Sequence, residues 1–104
     1  MQNSIDQVAK LLMYKGPKIS DLISIALNEG KQFSINKDDY SYCLTTEFKT
    51  AYDITVVDNY IFNLKDELIK QTLNINNKEK VVFDKYTEAK QLLKNITKSN
   101  VLVS

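Results

Sequence analysis

The chain has 104 residues, with 14 Lys and no Arg against 13 acidic residues, a formal net charge of +1, one Cys, and neither His nor Trp. That length supports one domain with a modest core, so residues 1–104 are read as a single domain. Without His, the usual general base, the Ser-His-Asp and Cys-His triads and nearly all catalytic zinc sites are excluded, and one Cys permits no internal disulfide.

Ser4 and Gln7 form a weak capping box for a helix over residues 5–15. Its apolar stripe is Ile5, Val8, Ala9, Leu12 and Met13. Gly16-Pro17 stops this helix and starts the next. There Ile19, Leu22, Ile23, Ala26 and Leu27 repeat at helical spacing, and Gly30 stands where a C-terminal cap needs positive φ. The two helices are expected to form an αα-hairpin. Residues 31–36 read as a connector, with Phe33 and Ile35 turned to the core.

Between Asn36 and Asp58 the pattern supports two readings. Tyr40, Tyr42, Leu44, Thr46 and Phe48 alternate with polar residues and Cys43, which suits a strand. Asp58-Asn59 would then be a hairpin turn. Yet Leu44, Phe48, Tyr52, Val56, Tyr60, Leu64 and Leu68 recur every four residues, and a spacing of four satisfies both periods. No Gly or Pro occurs from Lys31 to Ser104, and tight turns between strands usually draw on Gly. This favours helices over residues 37–51 and 54–73. The most apolar stretch, Asp53 to Leu73, becomes the central helix, with Leu64, Leu68, Ile69 and Leu73 as the stripe of its second half.

Asn74-Ile75-Asn76-Asn77 breaks the chain, and Asn76 with Glu79 caps a last helix. Val82, Tyr86, Ala89, Leu93 and Ile96 form its seam, flanked by Phe83 and Leu92. The fold expected is all-α: a single small helical bundle of four to five helices opening with the αα-hairpin. The alternative is α+β, with a small antiparallel sheet over residues 32–58.

No residue set amounts to a catalytic, metal or cofactor site, and an enzyme with a small-molecule substrate is not expected. The neighbouring carboxylates Asp38-Asp39 and Asp66-Glu67 point about 100° apart on a helix. They read as helix-start and solvated charges, with Asp66 and Lys70 as an i, i+4 pair. Gly16 and Gly30 are too far apart for a phosphate loop. Lys90, Lys94 and Lys98 read as a solvated column. Cys43 reads as a small buried hydrophobe, and a free thiol suits a reducing, cytoplasmic compartment. Neither a membrane-crossing run nor a signal peptide is read from the sequence. Abundant Lys, Asn, Ile and Tyr without Arg suit the AT-rich coding of a low-GC bacterium, phage or plasmid.

Tyrosine bodies pack while their hydroxyls seek partners, so Tyr gathers at interfaces. Tyr40, Tyr42, Tyr52, Tyr60 and Phe62 are therefore the candidate partner-binding residues. The role expected is a non-enzymatic protein-binding or regulatory module of inhibitor, immunity or regulator type, meeting a protein partner or a second copy. The alternative is a DNA-binding regulator. The stretch VAKLLMYKGPKISDLISIAL, about a fifth of the chain, resembles the first two helices of winged-helix or helix-turn-helix domains. That resemblance implies Lys10, Lys15, Lys18, Lys31 and Lys37 gathered on one face. The following NEGKQFSINKDDYSYCL is acidic and aromatic where a basic recognition helix belongs, and Arg, the usual reader of guanine, is absent. Nucleic acid is accordingly disfavoured as a partner.

Overall fold

Strands, not helices, occupy the middle of the chain. The computed structural model describes the backbone of residues 2–103 and the side chains of residues 5–96. In order it holds α1 (Gln2–Met13), α2 (Ile19–Asn28), β1 (Gln32–Lys37), β2 (Ser41–Lys49), β3 (Thr55–Asn63), β4 (Leu68–Ile75), β5 (Lys78–Asp84) and α3 (Lys85–Val103). The strands form one antiparallel sheet in chain order. The expected all-α bundle is thus corrected to an α+β fold. The connector is β1, the helix over 37–51 is a turn and β2, and the central helix is the β3–β4 hairpin. The last helix starts at Lys85, after β5. The sheet also runs well past the 32–58 of the alternative reading.

The turns explain the error. Their left-handed positions are filled by Asp53, Asp66, Asn76 and Asn77, all at positive φ. Asp and Asn tolerate that region, so a meander without Gly is possible. Two turns share one design. Thr50 Oγ1 accepts from the amides of Tyr52 and Ile54, three residues before left-handed Asp53 closes the loop. Asn63 Oδ1 likewise accepts from Lys65 and Glu67, with Asp66 as the left-handed residue. Asn76 and Asn77 make the two-residue β4–β5 loop, both at positive φ as a type I′ turn requires.

One sheet face is the core. Leu44 and Phe62 are wholly buried, with Leu68 beside them and Ile19, Leu22, Ile23, Tyr42, Tyr60 and Phe83 packed around. Full burial of each large apolar side chain contributes about 1.5–3 kcal/mol. Two bulges aim residues into this face. The β3–β4 register shifts at Ile61/Phe62, so Leu68 stands opposite Phe62. The β4–β5 register shifts at Gln71/Thr72, so Phe83 stands opposite Gln71.

The first two helices form where the pattern placed them but not as a hairpin. α2 belongs to the sheet's core layer, while α1 packs along α3. Gly30 closes α2 as expected, at φ +69°, with Gly30 and Lys31 amides returning to Leu27 and Ala26. Gly16, at φ +73°, passes so close to β4 that a β-carbon there would lie 2.7 Å from Leu68 Cβ. The adjacent Lys15 carbonyl accepts from the Leu68 amide at 2.9 Å. This crossing separates the two helices, sending one over the sheet and the other away from it.

Candidate protein-binding surface

The aromatic residues singled out in the sequence are divided by the sheet. Tyr42, Tyr60 and Phe62 share its core face. Phe62 is buried, and the Tyr42 ring stacks on it at 5.6 Å and 17° while its hydroxyl donates to Asp66 in the β3–β4 turn. Asp66 is therefore a turn residue, and Lys70 instead faces Asp84 at 4.0 Å. Tyr40 and Tyr52 are exposed in the turns before and after β2. The nine-residue strand between them spans about 30 Å. The five residues do not form one continuous patch.

Beside the aromatics the core face carries a polar inset. Thr46 stands opposite Asp58, and Leu44 opposite Tyr60. Burial pushes the Asp58 carboxyl above its ordinary range, against the opposing pull of Lys31 and a hydrogen bond with Gln71. Burial likewise raises the Tyr60 hydroxyl, helped by the negative charges of Asp58 and Glu29. Lys31 pairs with Glu29 at 2.7 Å and lies over the Phe48 ring at 4.6 Å. A shallow cleft of about 590 Å³ opens there, between Gly30–Gln32 and Glu47–Lys49. These groups satisfy one another, and no buried side-chain polar atom among the described residues lacks a partner. Cys43 lies half-buried on the opposite sheet face, its Sγ 3.8 Å from Thr45 Oγ1. Among the described residues no three His, Cys, Asp or Glu side chains are grouped to hold a metal ion.

The lysines tied to the DNA reading occupy different places. Lys10 lies on α1, and Lys15 and Lys18 lie in the crossing after it. Lys31 and Lys37 mark opposite ends of β1. α2 is followed by β1 rather than by a helix. Lys98, the last of the C-terminal lysine column, has its side chain outside the described residues.

A further group of exposed apolar side chains lies on the arm formed by α1 and α3. The buried Lys85 ammonium donates to the Tyr14 carbonyl at 2.9 Å, and Tyr14 meets Phe83 edge-on. This ties the end of α1 to the start of α3, so the two helices run antiparallel. Asp84 caps α3, its carboxylate accepting from the Thr87 amide. Val8 and Ala89 are the buried points of the contact. Ile5 and Leu12 lie three before and four after Val8, and Tyr86 and Leu93 lie three before and four after Ala89. Both offsets turn a residue about 40–60° to the same side of the contact line. On antiparallel helices the same offset reaches the same face of the pair. That face thus presents Ile5 (63% exposed), Leu12 (44%), Tyr86 (50%) and Leu93 (48%). The opposite offset sends Leu11 and Leu92 to the other face, into a groove of about 460 Å³ with Gln7, Glu88 and Gln91.

The sequence held this face in plain view, as the stripe of the first helix and the seam of the last. It read as core because both helices were expected inside a bundle. No described helix is long and apolar enough to cross a membrane. Compared with protein-family models, curated proteins and solved structures, the chain matches none.

Proposed function

We propose that the chain is a small non-enzymatic protein-binding module of regulator, inhibitor or immunity type, working in the cytoplasm. It docks through the apolar face of the α1–α3 arm. The observation that supports this reading is the four-residue cluster Ile5, Leu12, Tyr86 and Leu93 on one side of a two-helix layer. A helix stripe that apolar normally lies against another layer. The free thiol of Cys43 suits a reducing compartment.

Site-specific photo-crosslinking in the producing cell tests the reading. A crosslinker at Leu12 or Tyr86 is expected to trap a protein, whether another chain or a second copy. One at Leu64, an exposed residue of the β3–β4 turn, is the control and should trap none above background. If the arm positions yield no more adduct than Leu64, the arm is not a docking surface.

A further inference from the structure

We infer that the free edge of β1 takes an extended acidic–apolar segment of another protein as a sixth strand. This goes beyond the arm reading and does not rest on it. β1 pairs only with β2, so its other side presents backbone N–H and C=O groups with no partner in the sheet. Every residue of β1 is exposed. Another extended backbone matches such a row of alternating donors and acceptors along its whole length.

Sheets usually protect their edges with charge, proline or a bulge. β5, the other edge, is protected in this way: Lys78, Glu79 and Lys80 open it, and its register shifts at Gln71/Thr72. β1 is not. Its register with β2 runs unbroken over six pairs, and residues 32–36 carry no charge, proline or glycine.

The side chains specify which strand fits. Phe33, Ile35 and Lys37 stand opposite Thr46, Leu44 and Tyr42, on the core face. Lys31 reaches the same face, over the Phe48 ring. That side of β1 therefore reads Lys31, Phe33, Ile35, Lys37, two exposed apolar residues between two cations. Gln32, Ser34 and Asn36 face the other way and are neutral. Lys31 already has Glu29 at 2.7 Å, whereas among the described residues no acidic group pairs with Lys37. The complementary strand alternates, with two apolar residues on the core face and an acid at the end beside Lys37. Charge also separates this partner from a second copy. β1 paired antiparallel with itself about Ser34 sets Phe33 against Ile35, but Lys31 against Lys37 at both ends. Like charges directly opposite destabilise a strand pair.

Titration of the isotope-labelled full chain with the peptide Glu-Thr-Val-Thr-Val-Thr-Glu at low salt, followed by amide NMR, tests the inference. The peptide's pattern reads the same in both directions, so strand polarity need not be assumed. The β1 amides are expected to shift, with a Kd of about a millimolar or tighter for this single short strand. Those β1 amides that face away from β2 should exchange more slowly when peptide is bound. Replacing both Glu residues of the peptide by Lys should weaken binding about tenfold, and in Lys37→Glu that preference should disappear. Shifts confined to the α1–α3 arm, or none in β1 at about 10 mM peptide, overturn the inference and leave the arm reading as it stands. So does a Lys-ended peptide that binds the wild type as tightly as the Glu-ended one, a comparison that needs no variant to fold.

Discussion

Asp58 and Asp38 carry opposite pH signatures. Burial raises the Asp58 carboxyl above its ordinary 3.8, so the folded state holds that proton more tightly than the unfolded chain. Stability contributed by this group therefore falls as pH rises from that value through the folded one. The turn at Asp38 does the reverse. Its Oδ1 accepts from the amides of Tyr40 and Ser41 at 2.8 and 2.7 Å, which holds the carboxyl below its ordinary 3.8. That stabilisation is full above the ordinary range and is lost as pH falls through the lowered value. Asp58→Asn is expected to raise Tm at neutral pH, with the gain vanishing in acid. Asp38→Asn, which keeps the turn acceptor but not the charge, is expected to lower Tm at neutral pH and to match the wild type in strong acid. Melting curves across the acid range check both signs. Neither behaviour was legible in the sequence. Asp38 was visible only as one of two adjacent acids, and Asp58 as half of a supposed turn. It lies mid-strand opposite Thr46, a neighbour 12 positions away.

At the scale of elements, the helices were legible and the sheet was not, for a reason that particular residues make plain. Leu44, Phe48, Val56, Tyr60 and Leu68 do share one face, as their spacing of four requires, but it is a sheet face. An even spacing serves a strand as well as a helix. Tyr52 and Leu64, in step with the rest, fall in turns and are exposed. The deciding signal lay in the turns, where Thr50…Asp53 and Asn63…Asp66 supply both the side-chain acceptor and the left-handed residue. Bulges hid the rest. Leu68 and Gln71 point to one face across an odd spacing, as do Lys80 and Phe83, and this breaks the alternation in β4 and β5. The candidate site suffered the same way. Phe62 reads as a contact residue only if its segment is a helix with an uncovered side, whereas the sheet buries it. The turns can be tested directly. Asn77, at φ +66° in the two-residue β4–β5 loop, suits Gly best of all. Asn77→Gly should hold or raise the denaturation midpoint. Asn77→Ala replaces a side chain that tolerates the left-handed region with one that does not, and should cost about 1 kcal/mol. Equal midpoints for the two variants would mean that the loop's conformation is not what sets the register.

The whole molecule is two unequal parts joined at one crossing. Its Cα radius of gyration is 17.1 Å and its extents are 56 × 30 × 24 Å, where a compact chain of this length has a radius near 13 Å. The elongation comes with a division of burial. The sheet and α2 share the cluster of Leu44, Phe62 and Leu68, while the arm's buried apolar points are Val8 and Ala89. A helix as short as α1 is marginal unless its face is packed. Among the described residues the arm meets the sheet near that crossing, through the Tyr14–Phe83 edge contact and the Lys15–Leu68 backbone bond, beside the Lys85–Tyr14 hydrogen bond that joins α3 to the end of α1. Cooperativity between the parts is therefore limited to that junction, and two probes should separate them. Far-UV circular dichroism follows the helices, most of whose residues lie in α1 and α3. Near-UV tyrosine signals, read in a Tyr14→Phe, Tyr86→Phe variant, follow the tyrosines outside the arm, among them Tyr42 stacked on Phe62 in the sheet core. In dilute protein the far-UV signal should begin to fall at a lower temperature than the near-UV signal. Coincident transitions at every dilution would mark a single cooperative unit and would require the junction, rather than a covering layer, to stabilise the helical pair.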